Sequence, residues 1–157
     1  LYSYPARYYD LTKLSALHLR PMEIGRLCVD QHTRDPLLLL VAFKYIQSIA
    51  SSRQVDFIFG CTSFAGADNP QHLAALNSLK KNQIASSSFP IKRKSSKVLD
   101  IKKNFIGAQE SKNANSFLPP LLRFYLSLGG RVSDHAVIDK DLDTLHVFTY
   151  VDLKGKS

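Results

Sequence analysis

The stretch Met22–Phe43, MEIGRLCVDQHTRDPLLLLVAF, sets an acid and an arginine inside an apolar run, follows them with a polar turn, and then starts a helix on proline. From Met22 to Val29 the apolar and β-branched content predicts a strand. Strict alternation would put Met22, Ile24, Arg26 and Cys28 on one face and Glu23, Gly25, Leu27 and Val29 on the other. Gly25 marks a bulge or a close approach by another group. Asp35 followed by Pro36 predicts a helix start, the carboxylate capping free amides and the proline taking the first helical position. The helix should run to about Ser51. Its polar residues Lys44, Gln47, Ser48 and Ser51 fall on one narrow stripe, which predicts that most of the remaining circumference is buried against a sheet. QVDFIFGCTSF, Gln54–Phe64, follows as a nearly continuous apolar run suited to a central strand. Strand, helix, strand in this order is the parallel crossover unit.

Working outward, the residues before Met22 read as a turn or short strand, with Pro21 discouraging helix just before it. NPQHLAALNSLKKNQ predicts a second helix, capped by Asn69 and opened by Pro70. LPPLLRFYLSLGGRV predicts a third, opened by Pro119-Pro120 and stopped by Gly129-Gly130. HAVIDKDLDTLHVFTYVDL closes the chain as two strands joined by an Asp-rich turn. Between the second and third helices, residues 86–116 are rich in Ser, Lys and Asn without periodicity, and are expected to be a long basic, flexible loop.

The totals agree with one domain spanning residues 1–157: 45% hydrophobic and 22% charged residues, in a chain long enough to build a single core. No apolar run approaches the roughly 20 residues a membrane-spanning helix needs. Leu1 stands where an initiator methionine would, and no charged segment leading into an apolar one follows, so no signal peptide is expected. Cys28 and Cys61 match no metal spacing and are expected as buried free thiols in a reducing compartment. The net charge of +8 points to an anionic partner. Seven basic residues face two acids between Lys92 and Lys112. A solvated loop accounts for that charge on composition alone. No basic-aromatic interleaving supports a nucleic acid, and none is expected as a partner.

Three groups of residues could carry chemistry. The turn DQHTRDP precedes a helix whose first amides lack partners, which suits a phosphate, with His32 and Arg34 able to add donors; an ordinary connection has the same sequence features. Glu23 within an apolar strand must be paired, exposed at a cleft or protonated, and a bulge at Gly25 would let Arg26 approach it. An acid with a raised pKa there could take a proton from an amine nucleophile. Asp134, Asp139, Asp141 and Asp143 could face a cationic substrate or simply be solvated. The five histidines have no zinc spacing, so no metal is expected. GCTSFAG holds Ser63 without the glycine-x-serine-x-glycine elbow of a serine hydrolase.

MEIGRLCVDQHTRDP, VDFIFGCTSFAGAD, LPPLLRFYLSLGGRVSDHAVID and DLDTLHVFTYVDL, in this order, resemble the bacterial ornithine-lipid N-acyltransferases, the hemolysin-like branch of the GNAT superfamily. The E-x-x-R strand is also similar to one in acyl-homoserine-lactone synthases. The resemblance covers the chain from about Tyr9 onward. It implies an α/β fold with a GNAT-like mixed central sheet flanked by helices, in which the strand ending near Val29 splays from the one beginning near Val55. The family's first strands precede the segment matched by Met22, so the resemblance implies a C-terminal part of the enzyme.

The implied activity is transfer of a 3-hydroxyacyl chain from acyl carrier protein to the α-amine of L-ornithine, giving lyso-ornithine lipid, with no tightly bound cofactor and the acyl-phosphopantetheine as co-substrate. Glu23 would orient or deprotonate the amine and Arg26 would hold the strand or the donor. Backbone amides near Leu27 and Val29 would bind the developing oxyanion. Gln31, His32, Thr33, Arg34 and Asp35 would hold the phosphate, and Ser63, Asp68 and Asp134 would contact the substrate. The superfamily's glycine-rich loop is replaced at Arg34 and Pro36, which argues for a carrier-bound donor with one phosphate over coenzyme A. The basic loop would then meet an acidic carrier protein or an anionic inner membrane, where each Lys or Arg adds about 1 kcal/mol. The implied location is cytoplasmic and peripheral at that membrane. Alternatives are an acyl-homoserine-lactone-type synthase, an ordinary acyl-CoA N-acetyltransferase, or a basic membrane- or carrier-binding module without activity.

Overall fold

A computed structural model describes residues 3–27, 35, 37–68, 70–79, 81–87, 89–103 and 117–154. The elements run α1 (Tyr4–Tyr8), β1 (Tyr9–Asp10), α2 (Thr12–Ser15), β2 (Pro21–Glu23), α3 (Leu37–Ser52), β3 (Phe57–Ala65), α4 (Gln71–Ser78), a 3-10 turn (Lys81–Gln83), β4 (Lys92–Arg93), β5 (Val98–Asp100), α5 (Pro120–Ser127), β6 (Arg131–Asp139) and β7 (Thr144–Asp152). Five strands form one mixed sheet in the order β2-β3-β7-β6-β5. β2 and β3 are parallel and joined through α3, while the other neighbours are antiparallel. This is the α/β, GNAT-like mixed sheet flanked by helices that the motifs imply.

β3 and β7 make the centre of the sheet, paired without interruption from Phe57↔Asp152 to Ala65↔Thr144. Both faces of this pair are covered, which explains why their sequences read as continuous apolar runs. On one face Phe57, Phe59, Phe148 and Tyr150 pack with Tyr9, Leu11 and Leu14. On the other, Phe64, Leu145 and Val147 meet Leu76 and Leu79 of the α4 segment and Leu118 and Leu122 beside and within α5. A third cluster joins Phe43 and Ala50 of α3 to Ile58, Tyr125 and Val151. Phe43 stacks on Phe124 with ring centroids 3.9 Å apart.

Several expectations change. β2 is shorter than the strand predicted over Met22–Val29: its ladder with β3 ends with the Ile24 N–H donating to the Phe59 carbonyl at 2.8 Å. Residues 24–27 are irregular, and the rest of the predicted strand lies outside the described residues. The helix α3 does start as read, with the Asp35 carboxylate accepting the Leu37 N–H at 2.8 Å. It is not largely buried, however. Leu37, Leu38, Leu40, Val41 and Tyr45 are exposed, because the sheet and α5 cover only the face that carries Phe43 and Ala50. Asn69, expected to cap α4, lies outside the described residues, and Pro70 occupies the cap position without a side-chain hydrogen bond. Within the stretch expected to be loop, Lys92–Arg93 pairs with β1 and Val98–Asp100 forms the sheet's edge against β6. Residues 104–116 lie outside the described residues. The segment before Met22 holds two short helices that were not anticipated. No helix among the described residues is long and apolar enough to cross a membrane.

Candidate active site

β2 and β3 pair for three residues and then part. Gly60 sits at the parting: a Cβ there would lie 2.5 Å from the Ile24 carbonyl oxygen, a distance only glycine permits. The same added Cβ would be 3.6 Å from the hydroxyl of Tyr125, which is buried and has no hydrogen-bond partner among the described residues. Beyond this point a cavity of about 890 Å³ opens, within the size range of small-molecule sites. Glu23 to Leu27 form one wall, and Cys61 and Ser63 of β3 a second. Ser3, Tyr4, Arg7 and Tyr8 of α1 and its cap form a third. Asp141 and Leu142 close it from the β6–β7 turn, and Leu121 reaches it from α5.

Glu23 shares the face of Phe59, the side on which α1 lies, and its carboxylate meets the Tyr4 N–H and the Ser3 hydroxyl at the amino end of α1. Burial pushes its pKa above the ordinary glutamate value, and those two hydrogen bonds only partly offset the rise. Arg26 reaches the same cavity by a different route from the bulge considered above. Its φ of 54° lies in the left-handed region, which turns the chain out of strand alternation. Glu23 and Arg26 form no ion pair among the described residues. The Glu23 carboxylate therefore meets only neutral donors there, and its charge is not offset by a cation among the described residues.

The wall from α1 is fixed to the far hairpin. The hydroxyls of Tyr4 and Tyr8 both donate to Asp139 Oδ2 at 2.7 Å, while the amides of Asp141 and Leu142 donate to its other oxygen. Burial alone would raise the Asp139 carboxyl, but Tyr8, Tyr4 and the two amides outweigh it and hold the pKa below the usual range. Burial pushes the Cys61 thiol well up, so it stays protonated and is no nucleophile at neutral pH.

Of the residues singled out from sequence, Glu23, Arg26, Leu27 and Ser63 line the cavity. Asp68 is exposed beyond β3, and Asp35 caps α3. Asp134 is occupied elsewhere, accepting from His135 Nδ1 at 2.7 Å and pairing with Lys102 at 3.5 Å. Val29, Gln31, His32, Thr33 and Arg34 lie outside the described residues. Sequence reasoning missed Tyr4, Arg7, Tyr8 and Cys61. A signal for α1 was present, since Ser3 caps the helix by accepting the Ala6 N–H and Pro5 follows in the first turn. Among the described residues no group of His, Cys, Asp and Glu could hold a metal ion.

No family model and no solved structure matches the chain. Curated relatives do. It is 31% identical over 147 residues to an L-ornithine N(alpha)-acyltransferase of Brucella abortus (strain 2308), covering 92% of this chain and 52% of that protein. It is 27% identical over 149 residues to the protein of the same name from Rhodobacter capsulatus, covering 95% and 57%. A Rhizobium meliloti (strain 1021) protein, again of that name, is 29% identical over 146 residues, covering 92% and 49%. By these matches the chain is a relative of the L-ornithine N(alpha)-acyltransferases and spans about half of their length.

Proposed function

We propose that the protein transfers a 3-hydroxyacyl chain from the phosphopantetheine of an acyl carrier protein to the α-amine of L-ornithine, giving lyso-ornithine lipid. The observation that carries this reading is the cavity at the parting of β2 and β3, where the one acid of the edge strand has a raised pKa. The relatives' names support the acyl transfer and the amino acid.

In this mechanism the ornithine amine attacks the thioester carbonyl. A C–N bond forms, the C–S bond breaks, and the thiolate leaves with the phosphopantetheine arm. Glu23 takes the proton that the nitrogen must lose, a role suited to a carboxylate whose basicity burial has increased. Backbone amides near Leu27 would hold the oxygen that becomes negative in the tetrahedral intermediate. Direct transfer needs no covalent enzyme intermediate, in keeping with the protonated Cys61. The absence of glycines at Arg34 and Pro36 supports a donor with a single phosphate. The positive net charge supports an acidic carrier protein as partner and an anionic inner-membrane surface as the place where product leaves.

The test is mass spectrometry of lipids from a host expressing the complete protein, which should reveal lyso-ornithine lipid. Purified protein should use acyl carrier protein thioesters in preference to coenzyme A thioesters. Use of coenzyme A donors alone would defeat the donor assignment. Turnover with S-adenosylmethionine in place of ornithine would indicate a homoserine-lactone-type synthase, and carrier or liposome binding with no turnover a binding module.

A further inference from the structure

The charged residues lining the cavity come from three places in the chain, Arg7 being supplied by α1. Glu23 and Arg26 stand at the end of β2 and just beyond it, and Asp141 lines the same cavity from the β6–β7 turn. Five acids lie in or beside that hairpin, and four are already engaged, Asp152 at its end by the Lys154 N–H at 2.9 Å. Asp134 is held by His135 and Lys102, Asp139 by two tyrosines and two amides, and Asp143 by the Ala67 N–H at 3.0 Å. Asp141 is the remaining one, and it lines the cavity. Its backbone N–H is pinned to Asp139 Oδ1 at 3.0 Å, while its exposed carboxylate makes no hydrogen bond or ion pair among the described residues. The turn is therefore fixed and its side chain is left free to bind.

We infer that Asp141 determines specificity, selecting an amino acid with a second ammonium group at the end of its side chain, while Arg26 takes the α-carboxylate and Glu23 the α-amine. This rests on reading the cavity as the acyl-transfer site. Glu23 must lie beside the amine that reacts, and the guanidinium of Arg26, three residues on, suits the carboxylate attached to the same carbon. The substrate side chain then extends through the cavity toward the β6–β7 turn, where Asp141 lines it. A substrate without the distal ammonium leaves that carboxylate with no partner and forfeits a charge-assisted hydrogen bond.

The complete protein should be assayed with L-ornithine and with L-2-aminopentanoate, which has the same carbon chain and lacks the second amine. The Asp141→Asn variant is expected to raise KM for ornithine about tenfold, equivalent to about 1.4 kcal/mol, with kcat within about twofold of the parent. KM for 2-aminopentanoate should not move, and Asp141→Glu should restore most of the preference. An ornithine to 2-aminopentanoate preference that is the same in parent and Asp141→Asn overturns the assignment. Calorimetric binding of both amino acids, without acyl donor, separates this from the acyl-transfer reading. If the folded parent acylates neither amino acid, that reading fails. Tighter ornithine binding lost in Asp141→Asn would still support the charge selection, whereas equal binding or none would overturn it.

Discussion

Glu23 joins two requirements that seldom coincide, a half-buried position and a free lone pair. Its carboxylate meets one backbone amide and one hydroxyl and, among the described residues, no cation, so desolvation prevails and the pKa rises. Replacement by glutamine keeps the size and the ability to accept those hydrogen bonds but removes the base. Turnover by the complete protein is expected to fall by about 10²–10⁴-fold, with KM for ornithine little changed and the far-UV circular dichroism unaltered. The parent's kcat/KM should climb with pH through a carboxylate limb displaced above the ordinary glutamate range, and Glu23→Gln should lack that limb. Undiminished activity in the variant would remove Glu23 from the mechanism. This residue was legible in the sequence because an acid within an apolar strand is costly and needs a reason. Arg26 was legible only as a candidate: its arrival in the cavity depends on a left-handed backbone angle that no side-chain pattern announces.

Among the elements, α1 and α3 show what local pattern carries and what it cannot. α1 is five residues long, too short to persist alone, and it is held by contacts far along the chain. Tyr4 and Tyr8 reach Asp139 across 135 and 131 residues, a pairing invisible to any window of sequence. Since both hydroxyls share one oxygen, Tyr4→Phe and Tyr8→Phe should each lower stability by about 1–2 kcal/mol in urea titrations. The double variant should depart from their sum, because removing one donor lets the other tighten. Strict additivity would mean that the two tyrosines do not share the carboxylate. For α3 the start was readable at Asp35, whereas burial depended on what lies opposite each face. Phe43→Ala should cost about 3–5 kcal/mol, while Val41→Lys on the exposed face should stay within about 0.5 kcal/mol. A large cost at Val41 would show that this face is covered after all.

At the scale of the whole molecule, the sheet order follows from strands whose apolar content demanded two covered faces, and the sequence displayed that demand openly. What it concealed is the polar cluster sealed inside. His146 is fully buried beside Tyr9, whose hydroxyl donates to its carbonyl at 3.0 Å and lies 3.2 Å from its Nδ1. The rings of Tyr4 and Tyr8 also pack against it. His135 is fully buried as well. Burial pushes the His146 pKa down to about 4, outweighing the attraction of Asp139, and burial lowers His135 too despite its bond to Asp134. Both imidazoles are therefore neutral in the folded protein at pH 7. An unfolded histidine binds its proton near pH 6.5, so between that value and about 4 the unfolded state holds more protons than the folded one. The stability from a neutral His146 is complete above pH 6.5 and is lost as the pH falls toward 4, by an amount on the order of 3 kcal/mol. The depressed Asp139 carboxyl adds a loss at still lower pH, when it too must be protonated. The urea midpoint should accordingly drop between pH 7 and pH 4.5, and His146→Phe should flatten that decline even if it shifts the absolute stability. A midpoint independent of pH across this window would mean that the buried imidazoles protonate without resisting, and that water reaches them.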